Sequence, residues 1–148
     1  MLFRSQGKHA EAEQENRARI AIEERVLGAE HPDTLKSRNN LAEALRVQGK
    51  DAEAEQELRA VLAIQQRVLD AEHPDTLASR NNLANALDDQ GKHAEAEQEH
   101  RAVLALRERV LGAEHRDTLM SRSNLAVTLQ AHGKSAEAGR EDREGIDN

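Results

Sequence analysis

Apolar residues in the middle of the chain follow the spacing of α-helices. Between residues 32 and 48 the apolar positions fall on one helical face, at Leu35, Leu41, Ala42 and Leu45. Pro32 suits the first position of a helix, where its missing N–H costs nothing, and Gly49 suits the left-handed residue just past a helix end. The pattern therefore predicts a first helix, helix A, over about 32–48.

A second apolar pattern follows directly. Over residues 51–69 it covers more than one helical face, because Ala60 and Ala63 widen a stripe made of Ala54, Leu58, Val61, Leu62, Ile64, Val68 and Leu69. A helix that is apolar on more than one face suits a position between two neighbours. We therefore predict a helix B over about 51–69, antiparallel to helix A because the turn between them is short.

The pattern of helix A and helix B repeats every 42 residues. Residues 28–69 and 70–111 are identical at 32 of 42 positions. A period between about 20 and 50 residues is typical of solenoid proteins, in which each repeat buries its apolar face against its neighbours. The sequence thus predicts an all-α solenoid of antiparallel helix pairs that forms a single array over 1–148, with a partial repeat 1–27 and repeats at about 28–69, 70–111 and 112–148. The further helix pairs are expected at 74–90 with 93–111 and at 116–132 with about 135–145.

The two ends of the array depart from this pattern. Residues 2–7 align with residues 44–49, which predicts the last turn of a helix A that ends at Gly7. This clipped start suggests an array cut from a longer protein. At the other end, Gly139 interrupts helix B and Asp142 replaces the equivalent Leu58, and a polar last helix is typical of capping repeats.

Composition and charge argue against several classes of function. With a net charge of −7 the chain lacks the basic face that nucleic-acid binding requires, so we expect no nucleic-acid partner. No apolar run approaches the length of about 20 residues that spans a bilayer, and no signal-peptide pattern opens the chain. The sequence therefore predicts a cytoplasmic protein without a membrane partner. Cysteine is absent, so there are no disulfides, and the excess of Arg over Lys points to a bacterial gene.

The repeated residues resemble the tetratricopeptide repeat. One repeat carries that pattern at Leu41, Ala42, Leu45, Gly49, Ala54, Leu58 and Val61. The period of 42 residues is longer than the roughly 34 residues of the usual tetratricopeptide repeat. It is similar to that of kinesin light chain repeats and their bacterial relatives, whose motifs read here Leu27-Gly28-Ala29-Glu30-His31-Pro32-Asp33 and Asn39-Asn40-Leu41-Ala42. The resemblance covers essentially the whole chain. Departures from it are Arg38, Arg80 and Arg122 early in helix A, Ser123 in the third Asn pair and Arg116 after His115.

The resemblance implies a right-handed superhelix whose A helices line a concave groove for an extended peptide or partner segment. In kinesin-light-chain-like repeats the second Asn of each pair holds the backbone of the bound peptide, and the matching residues are Asn40, Asn82 and Asn124. A side-chain amide can bind any peptide sequence in this way because it both donates and accepts hydrogen bonds. The expected peptide-binding residues are Lys36, Asn39, Asn40, Glu43, Arg46, Asn81, Asn82, Asn85, Asp89, Asn124 and Gln130.

Two columns of repeated residues have alternative interpretations. The Asn pairs could bridge adjacent A helices instead of contacting a ligand. The second column consists of Arg38, Arg80 and Arg122. These arginines could pack on the core and pair with a Glu of helix B, or could form a ladder for acidic partners in the groove. A ladder for acidic partners fits poorly with Glu43, Asp88 and Asp89 at groove positions.

No arrangement of residues indicates catalysis, a metal or a cofactor. His31, His73 and His115 have no second His or Cys at ligand spacing, so helix-start and loop packing explains them better than metal binding. His100 stands where Leu58 stands one repeat earlier, which predicts a partly buried position. The Glu-rich stretches lie on exposed helix faces, and no nucleophile–base pair, phosphate loop or cofactor motif occurs.

The sequence thus predicts a non-enzymatic interaction module whose partner is a protein or a peptide. Two alternatives stay open. The array could self-assemble as a structural scaffold and form a homo-oligomer through its open ends. It could also be the sensor or regulatory part of a larger bacterial signalling protein, with the chemistry outside this chain.

Overall fold

The computed structural model describes residues 2–133, with side chains from Gly7 onwards. This part of the chain forms six α-helices and no strand: α1 (Leu2–Val26), α2 (Pro32–Val47), α3 (Asp51–Val68), α4 (Pro74–Asp89), α5 (His93–Leu111) and α6 (Arg116–Ala131). It falls into two compact units, unit 1 with α1–α3 and unit 2 with α4–α6, divided between Ala71 and Glu72. The single array over 1–148 stays a prediction. The helix expected at about 135–145, with Gly139 and Asp142, lies outside the described residues.

Each helix A begins with a histidine cap. The Nδ1 atom of His31 accepts a hydrogen bond from the backbone N–H of Asp33 at 3.1 Å. Pro32 opens the helix, and Asp33 lies in its first turn, where the helix dipole favours a negative charge. The same cap recurs at His73 and His115, with hydrogen bonds of 3.0 Å. The three histidines therefore start helices, as predicted.

Each helix A is followed by a glycine in the left-handed region. Gly49, Gly91 and Gly133 each have a φ of 80°, a conformation that glycine adopts without steric cost. At the first of these turns the backbone N–H of Gly49 donates to the carbonyl oxygen of Arg46 at 2.9 Å. The observed bounds of α2 to α6 agree with the predicted ones to within one residue.

The helix end predicted at Gly7 is wrong. Helix α1 runs without a break from Leu2 to Val26, and Gly7 lies inside it without a positive φ. A single turn of helix before Gly7 would be too short to be stable, whereas a continuous helix hydrogen-bonds the backbone on both sides of the glycine. A glycine at this position of the repeat therefore ends a helix at Gly49, Gly91 and Gly133 but not at Gly7.

Predicted apolar residues form the core of each unit. In unit 1 the largest fully buried side chains include Leu45 of α2 and Leu58 of α3. In unit 2, α5 and α6 share a buried cluster of Leu104, Leu125, Ala126 and Leu129. Two residues predicted for the apolar stripe of helix B, Ala63 and Val68, are exposed instead. Val68 is the last residue of α3, so it extends beyond the packed part of that helix.

A polar junction joins α1 to the end of α2. The carboxylate of Glu13 accepts hydrogen bonds from Arg17 Nε at 2.8 Å, Gln48 Nε2 at 3.0 Å and Lys50 Nζ at 3.1 Å. These three donors, with Arg17 the largest contributor, lower the pKa of Glu13 from 4.5 to about 2. The Glu13 carboxylate therefore keeps its negative charge at every pH near neutrality.

Candidate functional site

The predicted binding residues of unit 1 lie on α2. Lys36, Asn40 and Glu43 are exposed and share one helical face, since they are spaced by four and three residues. Glu43 is already paired, because its carboxylate accepts a hydrogen bond from Arg46 Nη2 at 3.0 Å. Asn39 is half-buried and has contacts of its own. Lys36 and Asn40 are therefore the predicted residues that unit 1 presents most openly.

A pocket of about 220 Å³ opens beside these two residues. It is lined by Arg19, Asp33, Lys36, Ser37 and Asn40. All five side chains are polar, and together they offer hydrogen-bond donors and acceptors. The volume is smaller than the roughly 300–1,000 Å³ of most small-molecule sites. A pocket of this size suits one side chain or one peptide group of a partner.

Arg19 is a pocket residue that sequence reasoning missed. It stands where Val61 and Val103 stand one and two repeats later. Both valines are fully buried, at 0% exposure, whereas Arg19 is exposed and lies 3.5 Å from the carboxylate of Glu23. An arginine in place of a core valine, within a repeat that is otherwise closely similar, was the signal that could have identified it.

The predicted binding residues of unit 2 are mostly half-buried. Asn81, Asn82, Asn85 and Asn124 are half-buried, and Asp89 and Gln130 are exposed. Asn124 Nδ2 donates a hydrogen bond to Asn81 Oδ1 at 3.0 Å, which joins α6 to α4. For this pair the structure shows the bridge between A helices that the sequence left open as an alternative.

The exposed face of α6 is more apolar than that of α2. Met120 and Val127 are 47% and 63% exposed on either side of Asn124. They stand where α2 has Lys36 and Glu43. The binding residues expected from the sequence did not include Met120 or Val127, although both break the polar column at their positions.

The arginine column has a structural role. Arg38 Nε donates to Glu57 at 3.0 Å, and Arg80 Nε donates to Glu99 at 2.8 Å. Both glutamates lie on the helix B of the same repeat, as the first interpretation of the column requires. The third member of the column, Arg122, is buried and donates to Glu108 of α5 at 3.0 Å.

Two expectations about polar residues in unit 2 are wrong. His100 is 1% exposed and not partly buried, because the nearby polar side chains of Asp88 and Thr128 allow a histidine to occupy the place of a core leucine. Asp88 does not belong to an open groove. It is half-buried and lies 2.8 Å from His93 Nδ1.

Neither a metal-binding group nor a membrane-spanning helix is found among the described residues. Over the described side chains, no group of three or more His, Cys, Asp or Glu could hold a metal ion. No helix between residues 2 and 133 combines the length and the apolar character needed to cross a bilayer. What the A helices offer is hydrogen bonding and apolar contact.

Known structures share this fold. The kinesin light chain-like, nearly identical TPR-like repeats from Podosopora anserina are 35% identical to this chain, with a TM-score of 0.87, and the match covers 97% of this chain and 69% of theirs. BtubC (BKLC) from P. vanneervenii is 22% identical, with a TM-score of 0.82, over 95% of this chain and 56% of its own. A Rap protein complexed with competence and sporulation factor is 15% identical, with a TM-score of 0.81, over 95% of this chain and 37% of its own. The last two show similarity of fold alone.

A comparison with curated proteins finds no match, but a family profile does match the chain. The family profile described as tetratricopeptide repeat matches residues 1–66, 37–108 and 86–141. These matches together extend over most of the chain, and the fold is an all-α solenoid of helix pairs. The chain therefore belongs to the tetratricopeptide-repeat family, with repeats of the kinesin light chain-like kind.

Proposed function

We propose that this chain is a non-enzymatic module that binds a peptide or partner segment on the exposed faces of its A helices. Tetratricopeptide repeats generally mediate protein–protein interaction. The observation that carries the proposal is the polar pocket of unit 1, which has Lys36 and Asn40 in its wall. A Rap protein of the same fold has been solved as a complex with competence and sporulation factor, so this fold can hold a bound factor.

The chemistry of the pocket suits a peptide backbone. The Asn40 amide both donates and accepts, so it can pair with a peptide N–H and C=O at once. Arg19 and Lys36 add donors for carbonyl oxygens, and Asp33 adds an acceptor for N–H groups. Such contacts do not depend on the side chains of the partner. Specificity then has to come from other parts of the A-helix faces.

The face of α6 supports apolar specificity. Met120 and Val127 lie on either side of Asn124 and are exposed. An apolar side chain of a partner that covers them gains about 25 cal/mol for each Å² of apolar surface removed from water. The bond between Asn124 and Asn81 uses one N–H of the amide. Asn124 still has a second N–H and a carbonyl oxygen that could contact a ligand.

The experiment that tests the proposal is a peptide-display selection against the purified chain. The variant Asn40→Ala is selected in parallel, because Asn40 is exposed and its loss should not affect the core. The matched control is Gln56→Ala, an exposed amide on helix B outside the pocket. Circular dichroism is used to check that each variant keeps its helicity.

The expected result is a peptide consensus on the parent and on Gln56→Ala. Affinity for that consensus should fall about tenfold in Asn40→Ala, as the loss of about one net hydrogen bond predicts. Equal affinities in all three proteins would contradict the assignment of the pocket. An absence of any enriched peptide would contradict a peptide groove and favour self-assembly or a folded partner domain.

A second candidate function is self-association. Val26, Val68 and Val110 are exposed at the ends of successive B helices, and apolar residues of this kind can join copies of a chain. Light scattering over a concentration series tests this, and a strict monomer would contradict it. A role as the sensor part of a larger signalling protein, a bacterial origin and a cytoplasmic location stay predictions.

A further inference from the structure

Three histidines and two carboxylates come together in unit 2, where α4 ends, α5 begins and α6 ends. They are Asp88, His93, Glu97, His100 and His132. His93 Nδ1 lies 2.8 Å from Asp88 Oδ1, and His132 Nδ1 lies 3.0 Å from Glu97 Oε1. The rings of His93 and His132 are 5.8 Å apart between centroids. We call these five residues the histidine cluster.

Asp88 is the centre of the histidine cluster. Besides His93, it accepts a hydrogen bond from the hydroxyl of Thr128, and its Oδ2 lies 3.7 Å from His100 Nε2. Burial alone would raise the pKa of Asp88, but His100, Thr128 and His93 together hold it below its usual value. Asp88 therefore stays negatively charged over the whole range in which histidines change their charge.

The equivalent positions of the preceding repeats hold one histidine, His9, which corresponds to His93. One repeat earlier, Asp51, Leu58 and Gln90 stand in place of the three histidines of the cluster. The contact between Glu97 and His132 has its counterpart in unit 1, where Gln48 Nε2 donates to Glu13 at 3.0 Å. An amide does not titrate, so the contact between Gln48 and Glu13 has the same charge at pH about 5 and about 8.

Carboxylates predominate around the cluster when its histidines are neutral. Glu97 also accepts a hydrogen bond from Arg101 Nε at 3.0 Å. Lys92, the N-cap residue of α5, is exposed beside His93 in the chain, and Asp89 is exposed beside Asp88. A positive charge on His93 or His132 would face a carboxylate at hydrogen-bond distance.

We propose that the histidine cluster is a proton-operated clasp that holds α6 and α4 to α5 more tightly as the pH falls from about 8 to about 5. A proton on His93 or His132 converts a hydrogen bond between a neutral imidazole and a carboxylate into one between an imidazolium and a carboxylate, in which both partners are charged. The first proton has the largest effect, because two charged rings at 5.8 Å would repel each other. His100 contributes little to the first step, since its ring is buried and neither nitrogen has a hydrogen-bond partner.

The capping histidines respond to acid in the opposite direction. His31, His73 and His115 each accept a backbone N–H at Nδ1, and a protonated Nδ1 cannot accept a hydrogen bond. Acidification therefore weakens the starts of three helices while it strengthens the clasp. The pH dependence of the whole chain is a sum of both effects, so the test has to compare variants.

The test uses the double variant His93→Gln with His132→Gln, which keeps side-chain donors but removes the titrating groups. Urea unfolding of the parent and the variant is measured at pH about 8 and about 5. The ratio of their folding equilibrium constants should favour the parent about tenfold more at the lower pH, the gain expected when a neutral imidazole paired with a carboxylate becomes an imidazolium. As a control, His31→Asn is introduced into both the parent and the double variant; it removes a histidine outside the cluster and should leave the tenfold change between the two proteins intact.

A second measurement does not depend on the stability of any variant. Amide hydrogen exchange of the parent, corrected for intrinsic rates, should show α6 more protected relative to α2 at pH about 5 than at pH about 8. An equal ratio of folding constants at the two pH values would overturn the proposal. So would relative protection of α6 that is unchanged or lower at the acidic pH.

Discussion

Units 1 and 2 repeat the same backbone features with different polar chemistry. In both units a histidine caps helix A, a leucine core joins helix A to helix B, and a glycine follows helix A. Where α1 meets the end of α2, Glu13 is held by Arg17, Gln48 and Lys50. Where α5 meets the end of α6, the equivalent Glu97 is held by Arg101 and His132.

The difference shows that a repeat can change its polar junctions without changing its fold. Caps and glycine turns determine where the helices begin and end, and buried leucines determine how they pack. The residues around Glu13 and Glu97 lie outside that framework. They can therefore diverge between repeats, here from a set of permanent charges and an amide to a set that contains a histidine.

The largest expected effect tests whether the two cores are equivalent. Leu45 and Leu87 are each 1% exposed at the same position of successive repeats. Leu45→Ala and Leu87→Ala should each lower the free energy of unfolding by about 2 to 5 kcal/mol, because a buried leucine leaves a cavity. Urea unfolding followed by circular dichroism measures both losses. The exposed Met120→Ala is the control, with an expected change within about 0.5 kcal/mol.

The two leucine losses should also be similar to each other. If one of the two substitutions left the free energy of unfolding almost unchanged, its unit would not be packed as the structure shows. Amide hydrogen exchange then shows which unit each substitution destabilises. Each substitution should first reduce the protection of amides in its own unit, because destabilised regions open locally.

A smaller effect is expected from exchanging the residues at one core position between repeats. His100→Leu restores the residue found at Leu58 and removes two buried ring nitrogens that have no hydrogen-bond partner. At pH about 8 it should raise the free energy of unfolding by about 1 to 3 kcal/mol. The reverse change, Leu58→His, should lower it by at least the same amount, because Arg46 stands there in place of Asp88.

Thermal and urea unfolding of these two variants provide the comparison. Opposite signs would confirm that His100 is tolerated in unit 2 at a cost in stability. A loss of stability in both variants would show instead that His100 makes a net favourable contribution through Asp88.

The helices could be predicted from the sequence because their signals are local. Pro32 and Gly49 mark the start and the end of α2, and the apolar spacing between them identifies the buried face. The same reasoning failed at Gly7, where the residues match a helix end but α1 continues through the glycine. A terminator residue has its effect only when the preceding helix can pack as a separate element.

The polar contacts could be predicted only in part. The pairing of Arg38 with a glutamate of helix B was one of two interpretations of the arginine column, and the structure shows it with Glu57. The bond between Asn124 and Asn81 was one of two alternatives, because an amide bridges helices as readily as it binds a peptide. The histidine cluster was missed. Its members come from three helices, and only the packing of α5 against α4 and α6 brings them together.

The smallest expected effect concerns Glu13, the counterpart of Glu97. Its three donors lower its pKa from 4.5 to about 2, so the charged form is favoured in the folded state. This contribution is complete at pH values well above 4.5 and is progressively lost as the pH falls towards 2. Glu13→Gln should lower the free energy of unfolding by about 1 kcal/mol near neutral pH, since solvent screens contacts near the surface. The loss should be equal at pH about 6 and about 8, because Arg, Gln and Lys donors do not titrate there.

Glu15→Gln, which changes an exposed carboxylate on the same helix, is the control for urea unfolding at these pH values. A loss that changed between them would mean that unit 1 also contains a titrating contact, and the contrast between the two junctions would then be wrong.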